Sequence, residues 1–179
     1  MKKVVLVCVA LASMLFSAEG RFQLGYAGTF NDGVSQNGFV IGGGGITDKN
    51  VFVGGDVSFE FYSEDTSMTI EGTNYGYGYS TPDVTTDVDL SMHTITPTFL
   101  IGHKYIRFAI GVPICTVDYT IKSDSQYTES TSSSDTNAGI LLGGQVHIPF
   151  TDNGGLFIEP AVVIISGNGS FALRAGFEF

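Results

Sequence analysis

Residues 170–179 alternate apolar with small or charged side chains and end on the aromatic Phe179, with no polar tail. Successive side chains on a β-strand point to opposite faces, so Phe171, Leu173, Ala175, Phe177 and Phe179 share one face. Ala172, Arg174, Gly176 and Glu178 share the other. A strand of roughly 9–11 residues, apolar toward lipid and polar toward a lumen, is what a transmembrane β-strand requires. The same period recurs upstream, and that repetition confines the chain to few folds.

Residues 22–30 place Phe22, Leu24, Tyr26 and Phe30 together, and residues 38–46 do the same with Phe39 and Ile41. In residues 51–62, Val51, Val53, Val57, Phe59 and Phe61 oppose Asp56, Ser58 and Glu60. Further strands are predicted at 87–101, 105–121, 137–150 and 156–166, which with the terminal one makes eight. Two of them change apolar phase, one near Pro97 and one after Pro113, and both changes read as β-bulges, where a missing N–H is tolerated. Gly42, Gly43, Gly44 and Gly45 lie inside the second strand. A phosphate-cradling loop would open a helix and usually carry a Lys, so these glycines read instead as a bend in a narrow barrel.

Asn168-Gly169 is a hairpin signal. A turn there sets Ile164 opposite Leu173, Val162 opposite Ala175 and Glu159 opposite Glu178. The connections at 31–37, 63–86 and 123–135 are long and polar, whereas those at 47–50, 102–104 and 151–155 are tight. An even strand number with short turns at one end and long loops at the other fits an eight-stranded antiparallel up-and-down transmembrane β-barrel, an all-β fold.

Met1-Lys2-Lys3, an apolar run from Val4 to Phe16 and small residues at Ser17, Ala18 and Gly20 have the order of a secretory signal peptide. The apolar run is shorter than the roughly 20 residues a membrane helix needs. Residues 1–20 are therefore predicted as a signal, cleaved after Ala18 or Gly20, and residues 21–179 as one outer-membrane barrel domain. With Cys8 inside the signal, Cys115 has no intrachain disulfide partner. The 24 glycines, 14 phenylalanines and 8 tyrosines suit a β protein with close backbone approaches. A net charge of −10 sets nucleic acid aside, because tracking phosphates takes clustered cations.

The chain resembles the small eight-stranded outer-membrane barrels of Gram-negative bacteria, the opacity-protein and OmpX-like group, through the strand pattern and above all through Phe171, Leu173, Ala175, Phe177 and Phe179. The resemblance implies that this strand is the assembly signal presented to the outer-membrane barrel assembly machinery. It also implies a monomer among outer-membrane lipid and lipopolysaccharide, with outer loops facing the cell exterior. Such barrels serve as adhesins, pores, enzymes or anchors, so the fold alone leaves function open.

Within that frame the expected function is non-enzymatic surface recognition or adhesion toward a host or surface ligand. The alternatives are a narrow pore for small solutes, a barrel enzyme acting on outer-membrane lipid, and a secreted soluble barrel. Tyr75, Tyr77 and Tyr79 are the candidate recognition residues, since tyrosine supplies contact area at low entropic cost. Asp89, Ser91 and His93 have the composition of a nucleophilic triad, but alternate positions on one strand are too far apart for the short hydrogen bonds that activation needs. No catalytic, cofactor-binding or metal-binding residues are assigned, since His93, His103 and His147 are scattered and the loop acids match no calcium-loop spacing. Inside an eight-stranded barrel the side chains fill the lumen. Alternation sends Asp56, Glu60, Arg107, Glu159, Arg174 and Glu178 inward, where they are expected to form a charge network, with Arg107 between Glu159 and Glu178 and Arg174 answering Asp56 or Glu60.

Overall fold

The computed structural model describes residues 19–31, 34–47, 49–70, 84–123, 131–151 and 154–179. Its elements are strands: β1 (Glu19–Asn31), β2 (Val34–Ile46), β3 (Val51–Ile70), β4 (Val84–His103), β5 (Ile106–Gly111), β6 (Ile114–Ser123), β7 (Thr131–Pro149), β8 (Gly155–Ile165) and β9 (Asn168–Glu178). They form one sheet in the order β3-β2-β1-β9-β8-β7-β5-β4-β6, closed by pairing of β3 with β4. β5 and β6 are two pieces of one crossing, interrupted because Pro113 has no N–H to give. The neighbours bridge the break, with Val112 N donating to Pro97 O at 3.0 Å and Gly139 N to Pro113 O at 2.9 Å. The result is a closed antiparallel barrel of eight crossings.

The chain divides into two compact units: Met1–Tyr62, His93–Cys115 and Asn137–Phe179 form the first, and Ser63–Met92 and Thr116–Thr136 the second. The first unit is the barrel. Its strands alternate between an apolar outer face and a mixed interior; in β5, Ile106, Phe108 and Ile110 are exposed while Arg107 and Ala109 are buried. Phe22, Leu24, Phe39, Phe61, Leu142, Val162 and Phe177 belong to the same exposed set, and Val57, beside its cross-strand partner Ile41, is the member that is nearly covered. A continuous outer surface of this kind matches the lipid-facing band of a membrane barrel.

Two expectations change here. In β4 burial alternates straight through Pro97: Thr94, Thr96, Thr98 and Leu100 are buried, and Ile95, Phe99 and Ile101 are exposed. No bulge is needed, and the apolar phase change coincides instead with the passage between units, since Val88, Leu90 and Met92 belong to the second. The other correction concerns the last hairpin, which turns at Ser166-Gly167, whose φ values of 50° and 84° are the left-handed pair a type I′ turn demands. Glu159 therefore faces Arg174, not Glu178, and Val162 faces Phe171. The displacement is even, so every side chain keeps its face. The observed register sets opposite charges across from each other where the expected one would have set two carboxylates.

The connection after β1 is also shorter than expected, since Asn31 pairs with Val34. In the second unit, segments expected as loops are strand: β3 runs to Ile70, β4 starts at Val84, β6 runs to Ser123 and β7 starts at Thr131. Polar rungs take the place of apolar ones. Ser67 Oγ donates to Asp87 Oδ1 at 2.7 Å, and the hydroxyls of Thr69 and Thr85 and of Thr116 and Thr136 lie 3.4 and 3.1 Å apart. Threonine is a good strand former without an apolar period to advertise it.

Candidate functional site

Asp56, Glu60, Arg107, Glu159, Arg174 and Glu178 all lie inside the first unit with their side chains buried. They are joined by hydrogen bonds into a chain along the lumen. Arg174 is its middle. Nη1 donates to Asp56 Oδ1 at 3.0 Å, to Glu159 Oε1 at 3.1 Å and to Thr98 Oγ1 at 2.7 Å, and Nη2 donates to Ser58 Oγ at 3.1 Å. Ser58 Oγ passes its own hydrogen to Glu60 Oε1 at 3.0 Å, and Thr29 Oγ1 gives one to Glu60 Oε2 at 2.6 Å. Glu60 thus rests on hydroxyls and not on Arg174.

Toward the end of the barrel that carries the tight turns, Gln145 links the middle to a second cluster. Its Nε2 donates to Glu159 Oε2 at 3.1 Å, and its Oε1 accepts from Arg107 Nη1 at 2.7 Å and from Gln23 Nε2 at 3.1 Å. Arg107 forms a two-point pair with Glu178, Nη1 to Oε2 and Nη2 to Oε1 at 2.9 Å, and Gln23 Nε2 adds a third donor to Glu178 at 2.6 Å. A planar guanidinium meeting a carboxylate in this forked way is both strong and directional. His147 Nε2 stands 3.6 Å from Glu178 Oε1. Arg107 therefore pairs with Glu178 alone, while Glu159 belongs to Arg174; the register explains the difference from the expected bridge between the two glutamates.

The glycine run has its reason at this end. The guanidinium carbon of Arg107 lies 3.5 Å from the centroid of the Phe52 ring, a cation–π contact inside the lumen. A Cβ on Gly44 would come within 2.7 Å of Phe52 Cζ, and one on Gly54 within 2.8 Å of Cε1. The missing side chains make the room in which an aromatic ring and an arginine lie face to face. An apolar seam of Leu100, Ala109, Leu141, Ala161, Val163 and Ala172 packs in the same interior.

Sequence reasoning did not single out Thr29, Ser58, Thr98, Gln23, Gln145, His147 or Phe52 as network members. Alternation places Gln23 and Ser58 inward, but a neutral amide or hydroxyl gives no sign of which charge it will serve. Asp89 accepts from Lys122 Nζ at 2.6 Å, and the His93 ring packs edge-on against Phe61, with centroids 5.6 Å apart. Neither contact is a nucleophile–base pairing. Tyr75, Tyr77 and Tyr79 lie outside the described residues. Among the described residues no three His, Cys, Asp or Glu side chains are grouped to hold a metal.

In the second unit the charge is one-sided. Lys122 is its lone cation, against Glu64, Asp65, Glu71, Asp83, Asp87, Asp89, Asp118, Asp124, Glu129 and Asp135. That unit thus carries nine of the ten net negative charges of the chain.

No protein-family model and no curated protein matches the chain. Solved structures do. The attachment invasion locus protein Ail of Yersinia pestis, in complex with the heparin analogue sucrose octasulfate, aligns over 92% of this chain and 100% of its own at 14% identity, with a TM-score of 0.50. The fold is that of a small outer-membrane β-barrel. A major outer membrane protein from Thermus thermophilus aligns over 89% of this chain and 98% of its own at 13% identity and a TM-score of 0.49. The N-terminal β-barrel domain of Pseudomonas aeruginosa OprF aligns over 90% and 98% at 15% identity and a TM-score of 0.45.

Proposed function

We propose that this outer-membrane barrel is a non-enzymatic surface-recognition protein whose second unit is the recognition surface and whose lumen is closed by the Asp56–Arg174–Glu159 and Arg107–Glu178 network. The observation that carries the reading is the separation of charge. Buried acids in the first unit meet arginines, amides and hydroxyls, whereas the second unit sets ten acids against one lysine. Pairing of β2 with β3 ends at Asn37–Phe61, and pairing of β7 with β8 starts at Gly139–Ile165, among the described residues. Strand β3 continues to Ile70 and β7 starts at Thr131, so both extend past those pairs. The polysulfated ligand of Ail would find one lysine among ten acids here, so the partner of this surface is cationic or bridged by cations. Tyr75, Tyr77 and Tyr79 supply the aromatic contacts.

In this reading the tight turns at 47–50, 102–104 and 151–155 face the periplasm, the connections at 63–86 and 123–135 face the cell exterior, and the chain is a monomer among outer-membrane lipid and lipopolysaccharide. Phe171, Leu173, Ala175, Phe177 and Phe179 serve the assembly machinery.

Protease added to intact cells should cut within residues 63–86 or 123–135 and leave the barrel. Cleavage at residues 47–50 or 102–104 would reverse the orientation. Replacing Tyr75, Tyr77 and Tyr79 by Ser should weaken binding to host cells without changing insertion. Steady conductance of the wild type in planar bilayers would sink the closed lumen and favour the pore.

A further inference from the structure

On the reading that the tight turns face the periplasm, we propose that Lys49 and Lys104 form a binding site for the phosphate of an anionic phospholipid headgroup in the leaflet on that side. Of the eight Lys and Arg residues, Lys2 and Lys3 precede the described residues, Lys122 belongs to the second unit, and Arg21, Arg107 and Arg174 are buried. The remaining two lie on neighbouring turns. Pairing of β3 with β4 brings the β2–β3 connection beside the β4–β5 connection, and Lys104 N donates to Asn50 O at 3.0 Å to tie them.

Lys104 is held at three points. Besides that N–H, its carbonyl accepts from Arg107 Nη2 at 3.2 Å, and its Nζ lies 4.8 Å from the centroid of the Tyr105 ring. Tyr105 is fixed in turn, its carbonyl accepting from His147 N at 2.8 Å. A cation already immobilised this way loses little freedom when an anion docks, which is what separates a site from a freely waving lysine. Lys49 is exposed next to Asn50, whose φ of 58° sets the corner of its turn.

The depth is right for a headgroup. Val51, Ile101, Tyr105 and Ile106, all exposed, flank the two turns, so the apolar belt stops where the ammonium groups begin. A cation beside an interfacial aromatic sits at the level of lipid phosphates. The β2–β3 connection carries Asp48 beside Lys49, and the other tight connection, between β7 and β8, carries Asp152 and no cation, so the cations belong to one side of the rim.

The test reconstitutes the full barrel in bilayer discs of phosphatidylcholine with or without phosphatidylglycerol and counts retained lipid by native mass spectrometry. The wild type should retain phosphatidylglycerol in preference to phosphatidylcholine, by on the order of fivefold per lysine. Lys49→Gln with Lys104→Gln should abolish the preference, and Lys122→Gln should keep it. Equal retention of both lipids by the wild type, or undiminished preference in the double variant, would overturn the site. Displacement of the lipid by inorganic phosphate would reassign it to a soluble anion and overturn the lipid assignment. Heat-modifiable migration on a detergent gel tells the two readings apart: variants that fold yet show no preference remove only the lipid site, whereas failure of the wild type to insert into any disc removes the membrane reading and the site with it.

Discussion

Arg174 with Asp56 and Lys122 with Asp89 are both ion pairs, and by distance the second is the closer, at 2.6 Å against 3.0 Å. Exposure reverses their importance: the first pair is 1% exposed at each partner, the second 59% and 38%. Removing one partner of a buried pair strands the other in a medium that cannot solvate it, whereas water and salt take over at once for an exposed pair. The two units use the same residue types to opposite ends. Inside, opposite charges meet across the lumen; in the second unit ten acids stand against one lysine.

The sharpest way to break the comparison is at its buried end. Arg174→Ala should cost about 3–5 kcal/mol in denaturant unfolding from micelles, because Asp56 and Glu159 lose their shared cation. Adding Glu159→Gln should recover part of the loss. A neutral single variant would mean that the lumen is wet and the network adds nothing.

Placing charge on the outer face comes next. Val162 is half exposed on the apolar belt, and Val162→Arg should cost about 2–4 kcal/mol if it sits near the bilayer midplane. The measurement is unfolding from phospholipid vesicles, and a cost that disappears would place this face outside the hydrocarbon. A smaller effect is expected from Gly44→Val, whose Cβ would lie 2.4 Å from Val53 O as well as against Phe52. Crowding the Phe52–Arg107 stack should destabilise by about 1–3 kcal/mol in the same assay.

Lys122→Gln should lower stability only slightly at neutral pH, and far less than Arg174→Ala, because water and salt replace an exposed pair. The hydrogen bond from Lys122 to Asp89, followed by the charge of that carboxylate, holds the ammonium above the usual lysine range. A raised value contributes stability that is complete below the ordinary lysine pKa of 10.5 and fades as pH rises through the raised one, so a difference between variant and wild type that varies with pH belongs only to the alkaline side. A loss at neutral pH as large as that of Arg174→Ala would abolish the distinction between the units.

Period-two alternation made the barrel legible, and with it the inward placement of the six charged residues. It did not make the pairings legible. An even shift of the last hairpin leaves every face unchanged, so Asn168-Gly169 and Ser166-Gly167 satisfy the pattern equally well, and only the backbone with two left-handed residues put Glu159 across from Arg174. The strands of the second unit were hidden for a related reason: Ser67, Thr69, Thr85 and Asp87 pair across strands by polar groups, and a polar rung has no apolar period.

What the sequence determined by itself was the strand period, the approximate spans and the two faces, because side-chain direction on a strand is a local property. The tertiary structure decided which charges meet, why Gly44 leaves room beside Phe52 and where strands outlast their neighbours. Those depend on register and on the room left inside a closed barrel, which no single strand contains.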